Sequence, residues 1–412
     1  MLKFAISLLL LLGCAAAQTA TLTLDQAIDL ALANSPALKA ARTQIDQNRA
    51  QEITAGLRPN PLLQGDSLFL PVFSPAAFSF DNFNQVQQYD LGVGYLFERG
   101  GKRQRRLQAA RDQSEVTRLQ VSDAERSLAF SVAQQFIAAQ LAKANLDFAT
   151  QNLESFRKTV DITQTRYQAG DISQGDLLKI KLQTLQFETD VGSARLALEQ
   201  ALINLRQLIG YEAVAADFQL IGELEYQPLN ERLEQIQATA LQLRPDLAAA
   251  RQSTVVARSQ IALAQANAKQ DLTTVLSYSH TSGLSSSSFS FNIPLPIFNR
   301  NQGEIARTRF AETQATYTAK AAEESVLKDV QVAYEQAKTS ESIVNLYFSG
   351  YLTEAQQSRE ISEFAFRQGA VSLIDLLDAE RTYRNTELAY RQALANYAVA
   401  LKQLHQAEGL TR

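Results

Sequence analysis

The sequence contains few of the residues from which metal and redox centres are built. Its 412 residues include one cysteine, one methionine, two histidines and no tryptophan. A single cysteine excludes an intrachain disulfide and a cysteine-ligated zinc site. Two histidines also make a histidine-built metal centre unfavourable. The composition therefore predicts a protein without a bound metal or other cofactor.

The charges of the sequence nearly cancel. The chain has 39 basic and 43 acidic residues, for a net charge of −4. Because nucleic-acid-binding surfaces are strongly basic, no nucleic-acid partner is expected. No nucleophile constellation or phosphate-binding loop is visible, so the protein is not expected to be an enzyme.

Proline and glycine are absent from long stretches. Proline is missing from 76–227 and from 297–412, and 102–169 contains neither proline nor glycine. Apolar residues recur there at helical spacing, which predicts a helix over 102–169 that is roughly 100 Å long. A similar helix is predicted over 302–368. Helices of this length are typical of coiled coils or tubes rather than of a compact globule.

Long hydrophobic runs are absent after the N-terminus. Lys3 precedes an apolar run of about nine residues, which is too short to span a bilayer and is typical of an export signal. Small residues predict a signal peptide at 1–17, cleaved before Gln18. Alternatively, the sequence LLGC resembles a lipobox, which predicts a lipoprotein signal at 1–13 and lipidation of Cys14.

The chain is a tandem repeat. Arg166–Gly210 aligns without a gap with Ala365–Gly409, at an offset of 369 − 170 = 199, with 12 identities in 45 positions. Leu24–Ala55 aligns with Leu233–Ala264 at an offset of 245 − 36 = 209. Each repeat is predicted to form a helix, two strands, a very long helix, a turn and a helix. The predicted divisions are a first repeat at 22–210, a linker at 211–232 and a second repeat at 233–409.

Period-two patterns predict strands in each repeat. Apolar or aromatic residues alternate with small or polar ones over Tyr89–Phe97 and Ser287–Leu295. Such segments suit either ordinary half-buried strands or the strands of an outer-membrane barrel. Because known barrels begin at about eight strands, four strands would require an oligomer. The predicted strands are 62–70, 88–97, 272–280 and 286–295, and the helices that close the repeats are 173–209 and 372–408.

The combination of signal, duplicated plan and local motifs resembles the TolC family of outer-membrane efflux proteins. The resemblance covers essentially the whole mature chain. Two of the motifs, FERGGKRQRR and IPLPIFNRNQGEIA, resemble the CzcC-type branch associated with heavy-metal efflux most closely. The motifs that carry the resemblance are LTLDQAIDLALANSPAL (22–38), FERGGKRQRR (97–106), LRPDLAAAR (243–251), IPLPIFNRNQGEIA (293–306) and GAVSLIDLLDAERTY (369–383).

The resemblance implies a mainly α fold with a membrane β-barrel portion. It implies a homotrimer in the cell outer membrane with a long periplasmic extension, in which three chains form one β-barrel and one α-barrel. The expected function is the exit duct of a tripartite efflux pump for divalent heavy-metal cations. The expected partners are a periplasmic adaptor, an inner-membrane transporter of the RND type and outer-membrane lipids.

Three alternatives stay open from the sequence. The duct could serve drugs or solvents, or it could serve one-step polypeptide secretion, because selectivity in such pumps lies mainly in the transporter. A different class is a periplasmic coiled-coil adaptor or scaffold. The period-two segments disfavour a scaffold, since a pure coiled coil leaves them unexplained.

Two equivalent turns are the sharpest local feature. In each, a glycine is predicted to end one helix, a serine to cap the next and an aspartate to complete a capping box. The resemblance implies that these turns form the periplasmic tip, where adaptors dock and the tunnel narrows. The turn residues are Gly170, Ser173, Asp176, Gly369, Ser372 and Asp375.

The resemblance also implies a periplasmic gate formed by Asp375, Asp378 and Asp176. Asp375 and Asp378 match the acidic positions of the constriction and fall on one helical face. In a trimer, this pair would supply six carboxylates that favour cations. Phe366 stands where some members have a tyrosine that helps to latch the tip, and Val371 offers no charge for such a latch. Other contacts are therefore expected to hold the tip.

A basic cluster follows the glycine pair Gly100-Gly101. Its cations are unfavourable at a helix start, which suggests contact with lipid phosphates at the membrane surface. The alternative is a solvated helix face with acidic neighbours. The cluster consists of Lys102, Arg103, Arg105 and Arg106.

Overall fold

The computed structural model describes residues 21–70, 72–73, 79–81 and 86–411. The predicted signal segment, 1–17 or 1–13, and Cys14 lie outside these residues. The first repeat contains α1 Leu24–Asn34, α2 Pro36–Gly56, β2 Leu62–Leu68, β3 Gln88–Phe97, α3 Lys102–Ala169 and α4 Gln174–Ile209, preceded by β1 Thr21–Leu22. The second contains α5 Leu233–Leu243, α6 Pro245–Asn267, β5 Leu272–Thr281, β6 Leu284–Asn292, α7 Gln302–Leu346, α8 Leu352–Arg367 and α9 Leu373–Glu408.

Each repeat begins with two helices, where the sequence pattern predicts one helix that a proline breaks near its end. Pro36 and Pro245 are the first residues of α2 and α6. Proline is favourable at this position because its nitrogen needs no hydrogen-bond partner there and its φ angle suits a helix. The prolines therefore end a short helix and also begin a longer one.

The second long helix is interrupted, contrary to the continuous helix predicted over 302–368. A π-helical turn at Tyr347–Tyr351 separates α7 from α8, and Gly350 within it has a φ of 140°. Only glycine adopts such a φ without strain, so this residue allows the break. The corresponding helix of the first repeat, α3, contains no glycine and runs for 68 residues without a break.

The linker predicted at 211–232 also contains regular structure. A short strand, β4 (Gln219–Leu220), pairs in parallel with β1. Farther along, the Tyr226 hydroxyl donates a hydrogen bond to the Glu341 carboxylate over 2.9 Å. The Tyr226 ring also lies 5.8 Å from that of Phe348, so the linker packs beside the π-helical turn.

One compact unit comprises 40–124 and 238–328 and contains an antiparallel sheet with the strand order β2-β3-β5-β6. The hairpin between β5 and β6 turns on Ser282 and Gly283, which have φ angles of 52° and 77°. These positive angles are those of the two-residue turns that match strand twist. The last strand ends at Asn292, so Ile293 and Leu295, assigned to it from the sequence, lie beyond it.

The two faces of this sheet differ in polarity. Leu63, Val93, Leu276 and Phe289 are direct neighbours across the four strands, and each is at least 52% exposed. The row on the opposite face consists of Asp66, Asp90, Ser279 and Ser286. Among the described residues, no helix is both long and apolar enough to cross a bilayer.

Within the described residues, the other unit comprises 21–39, 125–237 and 329–411. Its largest apolar cluster joins α1, α3 and α4 and includes Ile28, Phe136 and Leu205, which are at most 2% exposed. A second apolar cluster lies beneath the two helix turns, and these turns form the candidate site.

Candidate functional site: the paired helix turns

Both helix turns are closed by the same backbone hydrogen bonds. Gly170 and Gly369 have φ angles of 84° and 74°. The amide after each glycine bonds back to the carbonyl five residues earlier, from Asp171 to Arg166 and from Ala370 to Ala365. This pattern satisfies carbonyls that a helix end leaves unpaired, and it requires a left-handed residue that glycine adopts without strain.

Each following helix begins at a capping serine. The Ser173 hydroxyl accepts a hydrogen bond from the Asp176 amide over 3.1 Å and donates to its carboxylate over 2.8 Å. Ser372 makes the same contacts with Asp375, and its own amide also donates to the Asp375 carboxylate over 3.1 Å. The second turn therefore contains the complete reciprocal capping arrangement.

These contacts keep the two capping aspartates ionised. Hydrogen bonds from the Ser173 hydroxyl and then from Lys179 lower the pKa of Asp176 below its ordinary value. The Ser372 hydroxyl and then its backbone amide lower the pKa of Asp375 in the same way. A carboxylate that accepts such bonds is stabilised in its charged form, so both carboxylates are ionised at neutral pH.

Asp378, predicted to share the gate with Asp375, has a basic neighbour. Its carboxylate lies 3.1 Å from the Arg381 guanidinium, and both side chains are about two-thirds exposed. An exposed pair of this kind is weak and is screened by salt. The charge of this part of the turn is therefore less negative than the aspartates alone would give.

Phe366 contributes to the turns through packing. Its side chain is 3% exposed and lies in an apolar cluster with residues of α3, α4 and α9. Val371 packs against the same cluster. The members of this tip cluster are Phe156, Leu177, Ile180, Phe187, Phe366, Leu373 and Leu376.

Arg166, which the sequence reasoning missed, connects the two turns. Its guanidinium donates a hydrogen bond to the Phe366 carbonyl over 2.5 Å and lies 5.3 Å from the centre of the Phe366 ring. A Cβ atom at Gly369 would lie 3.2 Å from this guanidinium, so glycine also gives the arginine room. The only sequence signal for Arg166 is a basic residue in the last turn of α3.

The family model for the outer membrane efflux protein family matches residues 27–211 and 237–410. The chain belongs to the outer membrane efflux protein family. Its recognition from sequence motifs is confirmed, as is the predicted outer-membrane localisation. This is a family of transport ducts rather than of enzymes.

Two sequence relatives and one solved structure agree with the family match. The cobalt-zinc-cadmium resistance protein CzcC of Cupriavidus metallidurans is 24% identical over 90% of this chain and 85% of its own length. The cation efflux system protein CusC of Escherichia coli is 25% identical over 90% and 82%. The open state of the Neisseria gonorrhoeae MtrE outer membrane channel superposes with a TM-score of 0.77 at 20% identity, covering 94% of this chain and 89% of that one. The TolC-like fold predicted from the sequence is thus confirmed.

Farther from the turns, a band of charged residues joins α9 to its neighbours. Arg384 pairs with Asp190 of α4 over 2.8 Å, and Arg359 of α8 lies 4.2 Å from the Tyr383 ring centre. Between them, burial raises the pKa of Glu380, with a smaller opposing effect from Arg359. Sequence reasoning missed this band because its pairs join residues that are distant in the chain.

The predicted basic cluster lies in the sheet-containing unit, and its cations have internal partners. Lys102 pairs with Asp271 over 2.7 Å, and Arg106 pairs with Glu98 over 2.8 Å. Arg106 also donates to the Ala55 carbonyl over 2.9 Å. These two cations therefore hold the start of α3 to neighbouring segments.

The other two members of the basic cluster differ from each other. Arg103 donates to the Gly56 carbonyl over 2.5 Å, whereas the side chain of Arg105 is exposed. Lipid contact stays a prediction that Arg105 fits best. Within the described residues, no group of three or more histidine, cysteine, aspartate or glutamate side chains is arranged to hold a metal ion.

Proposed function

We propose that this family member is the outer-membrane exit duct of a tripartite efflux pump. Three chains would each contribute the four strands of the sheet to one β-barrel, and the helices to a periplasmic α-barrel. A periplasmic adaptor and an inner-membrane transporter of the RND type would complete the pump. The polarity of the sheet is the observation that carries the proposal.

An exposed apolar row across four strands, with aspartate and serine behind it, suits strands between lipid and an aqueous lumen. Outer-membrane barrels have this alternation, with apolar residues toward lipid and polar residues toward the channel. A sheet with two open edges would leave unpaired backbone groups in lipid. Closure with further copies of the chain removes these edges, which supports the trimer.

The paired turns support a gate and an adaptor contact at the tip. Gly170, Ser173, Gly369 and Ser372 fix the backbone there, and the two capping aspartates are held ionised. In the trimer, three copies of Asp375 and Asp378 would surround the opening. Asp176 of the first turn would contribute a further carboxylate from each chain to the same gate. Carboxylates around a narrow passage attract cations and resist anions.

The proposed cargo is a divalent heavy-metal cation. It rests on the names of two relatives, a cobalt-zinc-cadmium resistance protein and a cation efflux system protein. Drugs or solvents are the second candidate and secreted polypeptides the third. A separate adaptor or scaffold is not retained, because the family match spans both repeats.

The test combines assembly with transport. The purified protein is expected to have three times the protomer mass in detergent. Deletion of its gene is expected to raise cell-associated cobalt, zinc or cadmium in cells challenged with each metal, and expression of the chain should reverse this. Unchanged metal content together with retention of a dye or drug would overturn the cargo assignment and leave the duct intact.

A further inference from the structure

A row of exposed apolar side chains runs along α4. Its members fit the heptad spacing of a coiled-coil seam, which places them on one side of the helix. Each of them is more than half exposed in the single chain. A seam of this kind normally packs against another helix, so its exposure indicates a helix contact that the single chain leaves open. The members of this α4 ridge are Leu178, Leu182, Leu185, Leu196 and Ile203.

The equivalent side of α9 already has a partner within the chain. Arg384 stands at the position equivalent to Leu185, at the offset of 369 − 170 = 199. It pairs with Asp190 of α4 over 2.8 Å. Arg391, seven positions farther along the same side of α9, lies 4.7 Å from the centre of the Phe148 ring on α3. This side of α9 therefore packs against α3 and α4 of the first repeat.

The ends of the two rows agree with this relation. Leu377 of α9, the equivalent of Leu178, packs against the tip cluster. Ala395, the equivalent of Leu196, is 3% exposed. The second repeat thus covers on α9 the positions that the first repeat leaves exposed on α4.

The repeat relation also indicates what covers the α4 ridge. In a closed ring of three chains, the second repeat of one chain is followed by the first repeat of the next. The α4 helix of that next chain then takes the place that α9 has within a chain. Ala389 of α9 is exposed and stands at the position equivalent to Asp190, so Leu185 of the next chain would meet it. Leu185 and Asp190 lie about 140° apart around α4, which gives this helix two separate contact sides.

We propose that the α4 ridge binds the second repeat of a neighbouring copy of this chain, with Leu185 of one chain against Ala389 of the other. The interface presupposes the trimer proposed above and adds the surface that holds it together. It is apolar where the equivalent contact within the chain contains the ion pair of Asp190 and Arg384. High salt should therefore leave the association of the chains intact.

The first test is cross-linking of the full-length protein in detergent. Leu185→Cys and Ala389→Cys in one chain, treated with bismaleimidoethane, should give species of two and three chains on a denaturing gel. The matched control carries Asp190→Cys and Arg384→Cys at the equivalent positions, and it should cross-link within the chain without joining chains. The variants with Leu185→Cys or Ala389→Cys alone show whether the native Cys14 contributes.

The second test rebuilds the missing ion pair between chains. Leu185→Arg places an unpaired cation in an apolar contact and is expected to weaken the association of the chains about tenfold. Adding Ala389→Asp to the same chain should restore the association at low salt, and the restored association should weaken at high salt. Sedimentation of a dilution series in detergent provides the measurement, and circular dichroism shows that each variant folds.

The mass of the untreated complex separates the possible failures. If the protein is a trimer but the cysteines at 185 and 389 do not join chains, the ridge does not bind a neighbouring copy, and the exit duct is unaffected. A monomer would overturn both the interface and the duct. Cross-linking of Leu185→Cys in cells to a different periplasmic protein would assign the ridge to an adaptor and overturn the interface. Failure of Ala389→Asp to restore the association of Leu185→Arg would contradict the contact between these two residues.

Discussion

The two helix turns have the same backbone and different surfaces. Glycine, serine and aspartate recur at the offset of 369 − 170 = 199, and the bonds that close the helices and the serine caps recur with them. The second turn adds the bond from the Ser372 amide to the Asp375 carboxylate. Beyond the caps the residues diverge. Lys179 of the first turn corresponds to Asp378 of the second, and Leu182 corresponds to Arg381.

This divergence separates two roles within one chain. On α4, Leu178, Leu182 and Leu185 are 54%, 70% and 62% exposed, which leaves an apolar ridge beside the first turn. The second turn instead bears the exposed pair of Asp378 and Arg381. Duplication thus preserved the residues that the backbone requires, while the surface was free to specialise. The cation gate is expected to depend mainly on the second turn, and apolar contact with partners mainly on the first.

The largest effect is expected from the aromatic residue that precedes each turn. Phe366 is 3% exposed, and its equivalent Tyr167 is only partly buried against the same cluster. Replacing a buried phenylalanine with alanine costs about 3 kcal/mol. Phe366→Ala should therefore lower the thermal unfolding temperature clearly more than Tyr167→Ala, as followed by circular dichroism of the purified protein.

Equal losses from these two variants would contradict the asymmetry. A smaller loss from Phe366→Ala than from Tyr167→Ala would reverse it and make the first turn the better anchored. Phe366→Leu serves as the conservative control, since it retains most of the buried volume.

The next effect concerns the tie between the turns. Arg166→Ala removes the hydrogen bond to the Phe366 carbonyl, and bonds to charged groups contribute about 1.5 kcal/mol or more. We expect a loosened tip and a higher single-channel conductance in a planar bilayer. The matched control is Arg157→Ala on the same helix, because Arg157 pairs with Glu188 at an exposed position. Exposed pairs contribute about 0–1 kcal/mol.

If Arg157→Ala raised the conductance as much as Arg166→Ala, the effect would belong to the helix and not to the tie. An unchanged conductance in Arg166→Ala would show that the tip is held by packing alone. Arg166→Lys keeps the charge and shortens the reach, so it tests whether the hydrogen bond itself matters.

A smaller effect should separate the two turns by charge. Asp378→Asn is expected to reduce the preference of the channel for K⁺ over Cl⁻, and Lys179→Gln to increase it slightly. The change should not exceed about fivefold, which corresponds to roughly 1 kcal/mol for a unit charge close to an ion in water. Reversal potentials in a KCl gradient provide the measurement. A larger change from Lys179→Gln than from Asp378→Asn would assign the selective turn to the first repeat.

The sequence predicted the turns well because their determinants are local. Glycine, serine and aspartate act within one turn of chain, so their spacing is enough to identify the caps. The same holds for the strand pattern of Tyr89–Phe97, which lies within β3. Breaks at Pro36 and Pro245 were predicted near the end of the first helix, but the longer helix that begins at each proline was missed, because proline both ends and begins helices.

The contacts between the turns could not be read from the sequence. Arg166 and Phe366 are 200 positions apart, and Asp190 and Arg384 are 194 apart. Nothing in the local pattern distinguishes such a basic residue from one on a solvated surface. The break at Gly350 was missed for a related reason, because a single glycine is tolerated within a helix and its effect depends on tertiary packing.

The smallest effect is a difference in pH dependence along α9. Asp375 has a pKa lowered from 3.8 by its capping bonds, so its contribution is present above that pH and is lost as the pH falls. Glu380 has a pKa raised from 4.5 by burial, so the folded state binds its proton more tightly and stability falls as the pH rises above 4.5. Glu380→Gln should therefore raise the unfolding temperature above that of the unmodified chain, and this gain should be larger at pH 7 than at pH 4. Asp375→Asn should lower it at pH 7, by an amount that shrinks as the pH falls below 3.8. If the unfolding temperatures of the two variants changed with pH in parallel, Glu380 would be solvated in the assembled protein. The charged band would then contain no buried carboxyl group at this position.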